Sequence, residues 1–198
     1  NTCNFISMIP FVRNIVEYTE GSDYDDGNGV NTLFYQIESK ADKYTRVDFS
    51  KQSSEDGTNG IYTTVNTQNG IPVYYYRGAV DNNHVIFANF CWRIVRTTET
   101  GGVKLIYDGV PSNGQCNNTG DNSTIGSSAF NESYNDNAYV GYMFGTAGSS
   151  TYASTHANTN DSTIKGVIDT WYKNNLNTNY GKYISTTAVY CNDRSVTN

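Results

Sequence analysis

The alternation of apolar and polar positions is clearest between Ile71 and Cys116, IPVYYYRGAVDNNHVIFANFCWRIVRTTETGGVKLIYDGVPSNGQC. Aromatic and β-branched residues recur there in short runs separated by turn chemistry, the pattern of an antiparallel sheet. Val73 to Val80 reads as one strand, and Asp81-Asn82-Asn83 as a turn of residues that tolerate left-handed backbone angles. Val85 to Thr97 reads as a second, long strand, and Gly101-Gly102 as a tight reversal into Val103 to Tyr107. Upstream, Ile61 to Val65 begins a strand, and Asn69-Gly70 turns the chain into these hairpins. No nucleophile, base or metal cluster stands in this region, so it specifies a scaffold rather than a chemistry.

Helical spacing appears elsewhere. Ile164, Val167, Ile168, Trp171 and Leu176 fall on one stripe of a helix over Ser162 to Leu176, capped by Asp161 or Ser162. Trp92 and Trp171 are expected in the core. Leu33 to Lys43 predicts a short helix with Leu33, Phe34 and Ile37 on one face. Near the start, Phe5, Ile6, Met8, Ile9, Phe11, Val12, Ile15 and Val16 form an apolar segment interrupted by Pro10 and Arg13. From Pro10 onward its spacing fits a helical face; before Pro10 it fits a short strand equally well. Exposed, such a segment is unfavourable, so it is expected to pack on its own domain or on a neighbouring subunit.

Between these elements lie polar stretches. Ser53 to Gly60 is turn-rich, and Asn117 to Ser133 and Gly145 to Asn160 are small, polar and loop-like. Tyr139 to Phe144 reads as a short apolar strand between them, and Tyr183 to Cys191 as a last extended segment. The expected class is α+β, mainly antiparallel sheet with one amphipathic helix packed on a face and long polar loops. Residues 1–32 form an apolar segment with an acidic loop, and residues 33–198 the β-rich domain.

Composition narrows the function. With 37% hydrophobic and 16% charged residues, the polar remainder is mostly Asn, Thr, Ser and Gly, as in secreted and cell-surface β proteins. Seventeen Tyr supply ring area whose hydroxyls reach water or a partner. A formal charge of -6 with no basic run excludes nucleic acid as a partner, since phosphate contacts need clustered Lys and Arg. No stretch reaches the roughly 18 apolar residues of a membrane span. The start at Asn1, without Met or a basic n-region, fits a fragment or a mature chain whose targeting segment has been removed.

Four cysteines allow three pairings. Cys91 ends the FANFC run and Cys116 follows the strand that folds back beside it, so Cys91–Cys116 is the preferred bridge. Its closed loop would contribute about 3 kcal/mol through the unfolded state. Cys3 and Cys191 then pair with each other or with another chain; the other reading is four reduced thiols. Zinc-ligand spacing is absent and no cofactor is expected. Asp23, Asp25 and Asp26 invite a calcium reading. An EF-hand counted from Asp23 would need Gly and a carboxylate where Asn28 and Phe34 stand, so a solvated acidic loop is favoured. Sequons at Asn117, Asn122, Asn131 and Asn160 are candidate glycosylation sites if the host glycosylates.

The run YYYRGAVDNNHVIFANFCWRIVRTTETGGVKLIYDGVPSNGQCNNTG resembles a module of secreted and cell-surface proteins of gut-type low-GC Gram-positive bacteria. VDFSKQSSEDGTNGIY, AYVGYMFGT, IDTWYKNNL and CNDRS resemble the same family in the same order, from Leu33 to Asn198. Longer members continue past CNDRS into a half similar to a C-type-lectin or formylglycine-enzyme fold. The resemblance therefore implies that a lectin-like ligand face, and a partner for Cys191, belong to a segment beyond Asn198. It carries no catalytic residues.

Two functions are expected from these features. The first is a non-enzymatic extracellular structural or adhesive protein at the bacterial surface, built as a pilus-like fibre from copies of itself through Phe5 to Val16. The second is a lectin-like module that binds glycans or a host surface protein, with exposed rings such as Tyr134 and Tyr152 as stacking platforms. An enzyme is not expected: Asp108, Glu99 and Asp169 stand singly, and His84 opens a strand beside an Asn turn.

Overall fold

A computed structural model describes residues 32–67, 69–131, 143–186 and 188, and the backbone of 14–16. The chain divides into two compact units, one from Asn14–Thr124 with Tyr183–Ser185, the other centred on Ile125–Lys182. The class is α+β with an antiparallel sheet, as the alternation predicts.

The first unit is built on a six-stranded sheet. Its strands are β1 (Asn14–Val16), β2 (Gly60–Thr64), β3 (Val73–Arg77), β4 (His84–Phe87), β5 (Phe90–Thr97) and β6 (Val103–Tyr107). The spatial order is β1-β6-β5-β3-β2, with β4 also paired to β5. Thus β5 meets β6 along one edge, and along the other meets β4 first and then β3 at Tyr75↔Arg96. A bulge between Ile94 and Arg96 resets the side-chain alternation midway. On the buried face, Trp92 opposes Tyr107, Ile94 opposes Leu105, and Thr97 opposes Val103. Trp92 is fully buried, edge-on to Tyr107 at 5.5 Å, and its indole N–H donates to the Phe87 carbonyl at 2.8 Å. Burying that ring while satisfying its single donor is what makes Trp tolerable in a core.

Two helices join this unit. α1 (Leu33–Lys40) starts where the Thr32 hydroxyl accepts from the Tyr35 N–H, and its last turn carries Lys40 against the carbonyl end of the helix. Ile37 is buried, Phe34 meets Tyr74 edge-on at 5.9 Å, and the Tyr74 hydroxyl donates to Glu38 at 2.6 Å. α2 (Ser53–Asp56) is one turn held by a capping box between Gln52 and Glu55 and closed by Gly57.

In the second unit, β7 (Met143–Phe144) pairs with β8 (Asn160–Asp161), and α3 (Tyr152–Thr155) lies between them in sequence. α4 (Thr163–Tyr172) is capped by the Ser162 hydroxyl, which accepts from the Lys165 N–H at 3.2 Å. Ile168 and Leu176 are buried as the stripe predicts, whereas Val167 is exposed and Trp171 half-buried.

Several expectations are corrected. Val85 to Thr97 is two strands, because Ala88 and Asn89 take φ of 54° and 65° and reverse the chain into a hairpin. An alanine with left-handed backbone is uncommon, so the apolar run FANF carries no ordinary turn signal. The strand from Val73 stops at Arg77, since Gly78 adopts φ +80°. Helical structure does not end at Leu176, where the sequence reading places it. It runs on through a π turn at Lys173–Asn177, a short α turn and a 3₁₀ turn to Tyr183. Near the N-terminus, Asn14, Ile15 and Val16 are a strand rather than part of a helical face, pairing antiparallel with Leu105, Lys104 and Val103. Pairing to an open sheet edge outweighs a helical spacing only four positions long. Phe5, Ile6, Met8, Ile9, Phe11 and Val12 lie outside the described residues.

The expected Cys91–Cys116 disulfide is present, with Cα atoms 5.6 Å apart across 25 positions of sequence. Replacing both cysteines with Ala is expected to lower unfolding free energy by about 3 kcal/mol, read from the urea midpoint at constant slope. A change under about 0.5 kcal/mol would mean the bridge adds nothing to the sheet.

Tyr74 gives a second expectation. Burial, and then its bond to Glu38, push its hydroxyl from the ordinary 10.0 up to about 12. The folded-state value is the higher one, so this stabilisation is intact below pH 10.0 and fades as pH rises towards about 12. Melting temperatures across that window should fall less steeply for Tyr74→Phe than for the wild type; identical slopes would contradict the assignment.

Candidate functional site

The densest polar chemistry in the first unit sits where β6 ends. Asp108 follows the last residue of β6 and is 4% exposed. Its backbone N–H donates to the Cys91 carbonyl, and the Cys91 N–H donates to the Gly109 carbonyl, each at 2.8 Å, so the ladder continues past the strand. Register then fixes the side chains. His84 pairs with Arg93, placing both on one face of the β4–β5 ribbon, and both reach the Asp108 carboxylate. His84 Nε2 lies 3.0 Å from one oxygen and Arg93 Nε 3.3 Å from the other. A buried carboxylate needs such partners, because removing it from water uncompensated costs several kcal/mol.

The loop beyond is pinned equally closely. Asn118 donates its side-chain amide to the carbonyls of Asp108 at 2.6 Å and Val110 at 3.1 Å. Gly109, at φ +89°, lies against that amide and the Asn122 carbonyl, where a Cβ would come within 2.2 Å of the carbonyl oxygen. Only glycine fits, on both conformation and space. Cys116 returns the same loop to Cys91. Carboxylate, disulfide, amide and glycine all serve one junction.

This cluster holds charge in place. The other His84 nitrogen, Nδ1, lies 3.2 Å from the Asp81 carbonyl, so each ring nitrogen has an oxygen partner within the protein. His84 opens β4 beside the Asn turn, as expected from the sequence. What the sequence concealed is that Asp108 and Arg93 join it. Three residues spread over 25 positions converge only once the strand register is known.

The remaining candidates fall as follows. Asn117 and Asn122 are exposed, Asn117 donating to Gln115 at 3.2 Å and Asn122 lying in a 3₁₀ turn over Gly120–Ser123. Asn131 is half-buried. Asn160 differs, since its amide nitrogen donates to the Gly145 carbonyl at 2.8 Å and is already committed. Tyr152 is exposed and stacks on His156 at 3.8 Å. Cys3, Cys191, Asp23, Asp25, Asp26 and Tyr134 lie outside the described residues. Among the described residues, no three His, Cys, Asp or Glu side chains converge to hold a metal ion, and no helix is long and apolar enough to cross a membrane.

A second ordered surface was missed from sequence. The segment Asp42 to Thr58 is turned by its own carboxylates. Asp42 accepts from the Tyr44 and Thr45 N–H groups, each at 2.9 Å, and Asp48 accepts from the Ser50 N–H at 3.0 Å and hydroxyl at 2.7 Å. Asp56 accepts from the Thr58 N–H at 3.0 Å and from its hydroxyl. Arg77 of β3 donates to the Thr58 hydroxyl at 2.8 Å and the Lys51 carbonyl at 2.7 Å, clamping this segment to the sheet. The local sequence signal is Asp-x-Ser at Asp48 and Asp-x-Thr at Asp56, in which a carboxylate bonds the backbone two residues on.

No protein-family model matches the chain, and no curated protein or solved structure matches it significantly.

Replacing Asp108 by Asn should cost about 2 kcal/mol, because Arg93 and His84 lose their charged acceptor in a buried setting. Arg93→Gln, at a half-exposed residue, should cost under about 1 kcal/mol. Equal, small effects in chemical denaturation would show that the cluster is not a structural anchor.

Proposed function

We propose that this chain is a non-enzymatic extracellular structural or adhesive protein of the bacterial surface, assembling with copies of itself into a fibre. The observation that carries the reading is the seat of β1. Three residues from the apolar N-terminal segment, Asn14–Val16, supply an edge strand to β6 in antiparallel register. A strand delivered from 87 positions upstream of its partner is the kind of element that a neighbouring copy can supply in its place, with main-chain hydrogen bonds giving affinity. The Cys91–Cys116 bridge is consistent with an oxidising, extracellular setting, and the pinned β6 junction with a scaffold that resists opening. The resemblance to secreted and cell-surface proteins of Gram-positive bacteria supports the same compartment.

The second reading is a lectin-like module that recognises glycans. It is favoured by one observation, the exposure of Phe49 on a segment that is otherwise fastened down.

Electron microscopy of natively secreted, non-reduced material tests the first reading. Filaments are expected, and deleting Phe5 to Val16 should abolish them. Discrete monomers with the segment intact would overturn it.

A further inference from the structure

Phe49 is 72% exposed, yet its surroundings are among the most constrained in the first unit. The Arg77 guanidinium lies 5.3 Å from its ring centroid, and Tyr75 lies 6.0 Å away at a tilt of 33°. Tyr75 in turn meets Tyr62, its cross-strand partner on β2, at 6.3 Å. Arg77 is itself fixed by Thr58, the Lys51 carbonyl and Asp56, so the platform under the ring does not depend on the ring for its order. Immediately before Phe49, Asp48 uses one carboxylate oxygen to hold Ser50, while its second oxygen accepts no hydrogen bond from a described residue. The Ser50 hydroxyl, then its N–H, hold the Asp48 carboxyl below its usual range, so it stays ionised as an acceptor.

We propose that Phe49, Asp48 and Ser50 form a stacking subsite for one pyranose ring of a neutral glycan. The C–H face of the sugar lies on the open face of Phe49, and a sugar hydroxyl donates to the free oxygen of Asp48. The proposal rests on the glycan-binding reading above and names its site. Three features favour this ligand. The exposed apolar target is one ring, flanked in sequence by Asp48, Ser50, Lys51 and Gln52, and a single ring is far short of the roughly 800 Å² per partner that a stable protein interface buries. A cationic ligand is disfavoured, because it would sit opposite the guanidinium already stacked under Phe49. The segment is ordered before binding, so little freedom is lost when a small, weakly binding ring docks.

The test is a titration of the full chain, followed by amide chemical shifts. The probes are the methyl pyranosides of glucose, galactose, mannose and N-acetylglucosamine. At least one should saturate with millimolar affinity, moving the Asp48, Phe49, Ser50 and Tyr75 signals. Phe49→Ala should weaken it about tenfold, Phe49→Tyr should retain it, and both should keep the wild-type melting temperature because the ring is exposed. A sugar that binds but shifts other residues, or that ignores Phe49→Ala, removes this site and leaves glycan binding standing. No saturable shift with any probe overturns both. Saturation by tetramethylammonium in place of every sugar overturns the sugar assignment in favour of a cation.

Discussion

Everything in the first unit hangs on the pairing of β5. Among the described strands it alone meets three others, with β6 along one edge and β4 then β3 along the other. That arrangement requires a bulge at Val95, since β5 must present Trp92 and Ile94 to the core at one end and Thr97 at the other. It also requires a reversal at Ala88-Asn89, so that β4 can lie back along the first half of the same strand. Disulfide, Asp108 cluster and Gly109 all act at one end of β5, where the chain leaves the β5–β6 ladder. The Thr97 hydroxyl acts at the other, accepting from the Tyr74 N–H at 2.9 Å and tying β3 in where ladder pairing is thinnest. A fully buried hydroxyl so placed stands in for a missing ladder bond.

Legibility in the sequence followed from how local each determinant is. The strands β2, β3 and β6, the cap of α4, and Trp92 in the core all come from alternation or from residues within one turn of each other. The disulfide was legible because Cys116 follows a strand that a Gly-Gly turn folds back. What stayed hidden depends on register or on neighbours far along the chain. Ala88 and Asn89 look like strand residues because nothing local demands a positive φ from alanine. Ile15 and Val16 fit a helix until the open edge of β6 is known. Asp108, His84 and Arg93 each look solitary, and only the His84↔Arg93 pairing brings them onto one carboxylate. Phe49 is a single apolar residue among polar sequence neighbours, and its platform depends on Arg77, which is 28 positions away.

The polar groups of this unit are spent on fixing backbone. His84 has an oxygen partner at each nitrogen, Asn118 spans two carbonyls, and Arg77 holds the segment 42–58 to the sheet.

The central claim is that β5, fastened at both ends, is the most stable part of this unit. Native-state amide hydrogen exchange tests it directly. The N–H groups of Cys91 and Ile94, bonded to the Gly109 and Asn83 carbonyls, and that of Asp108 should exchange slowest of all, at the rate of global unfolding. If the amides of β2 or α1 outlast them, or if the Cys91 amide exchanges as fast as the loops, the sheet is not organised around β5 and the account fails.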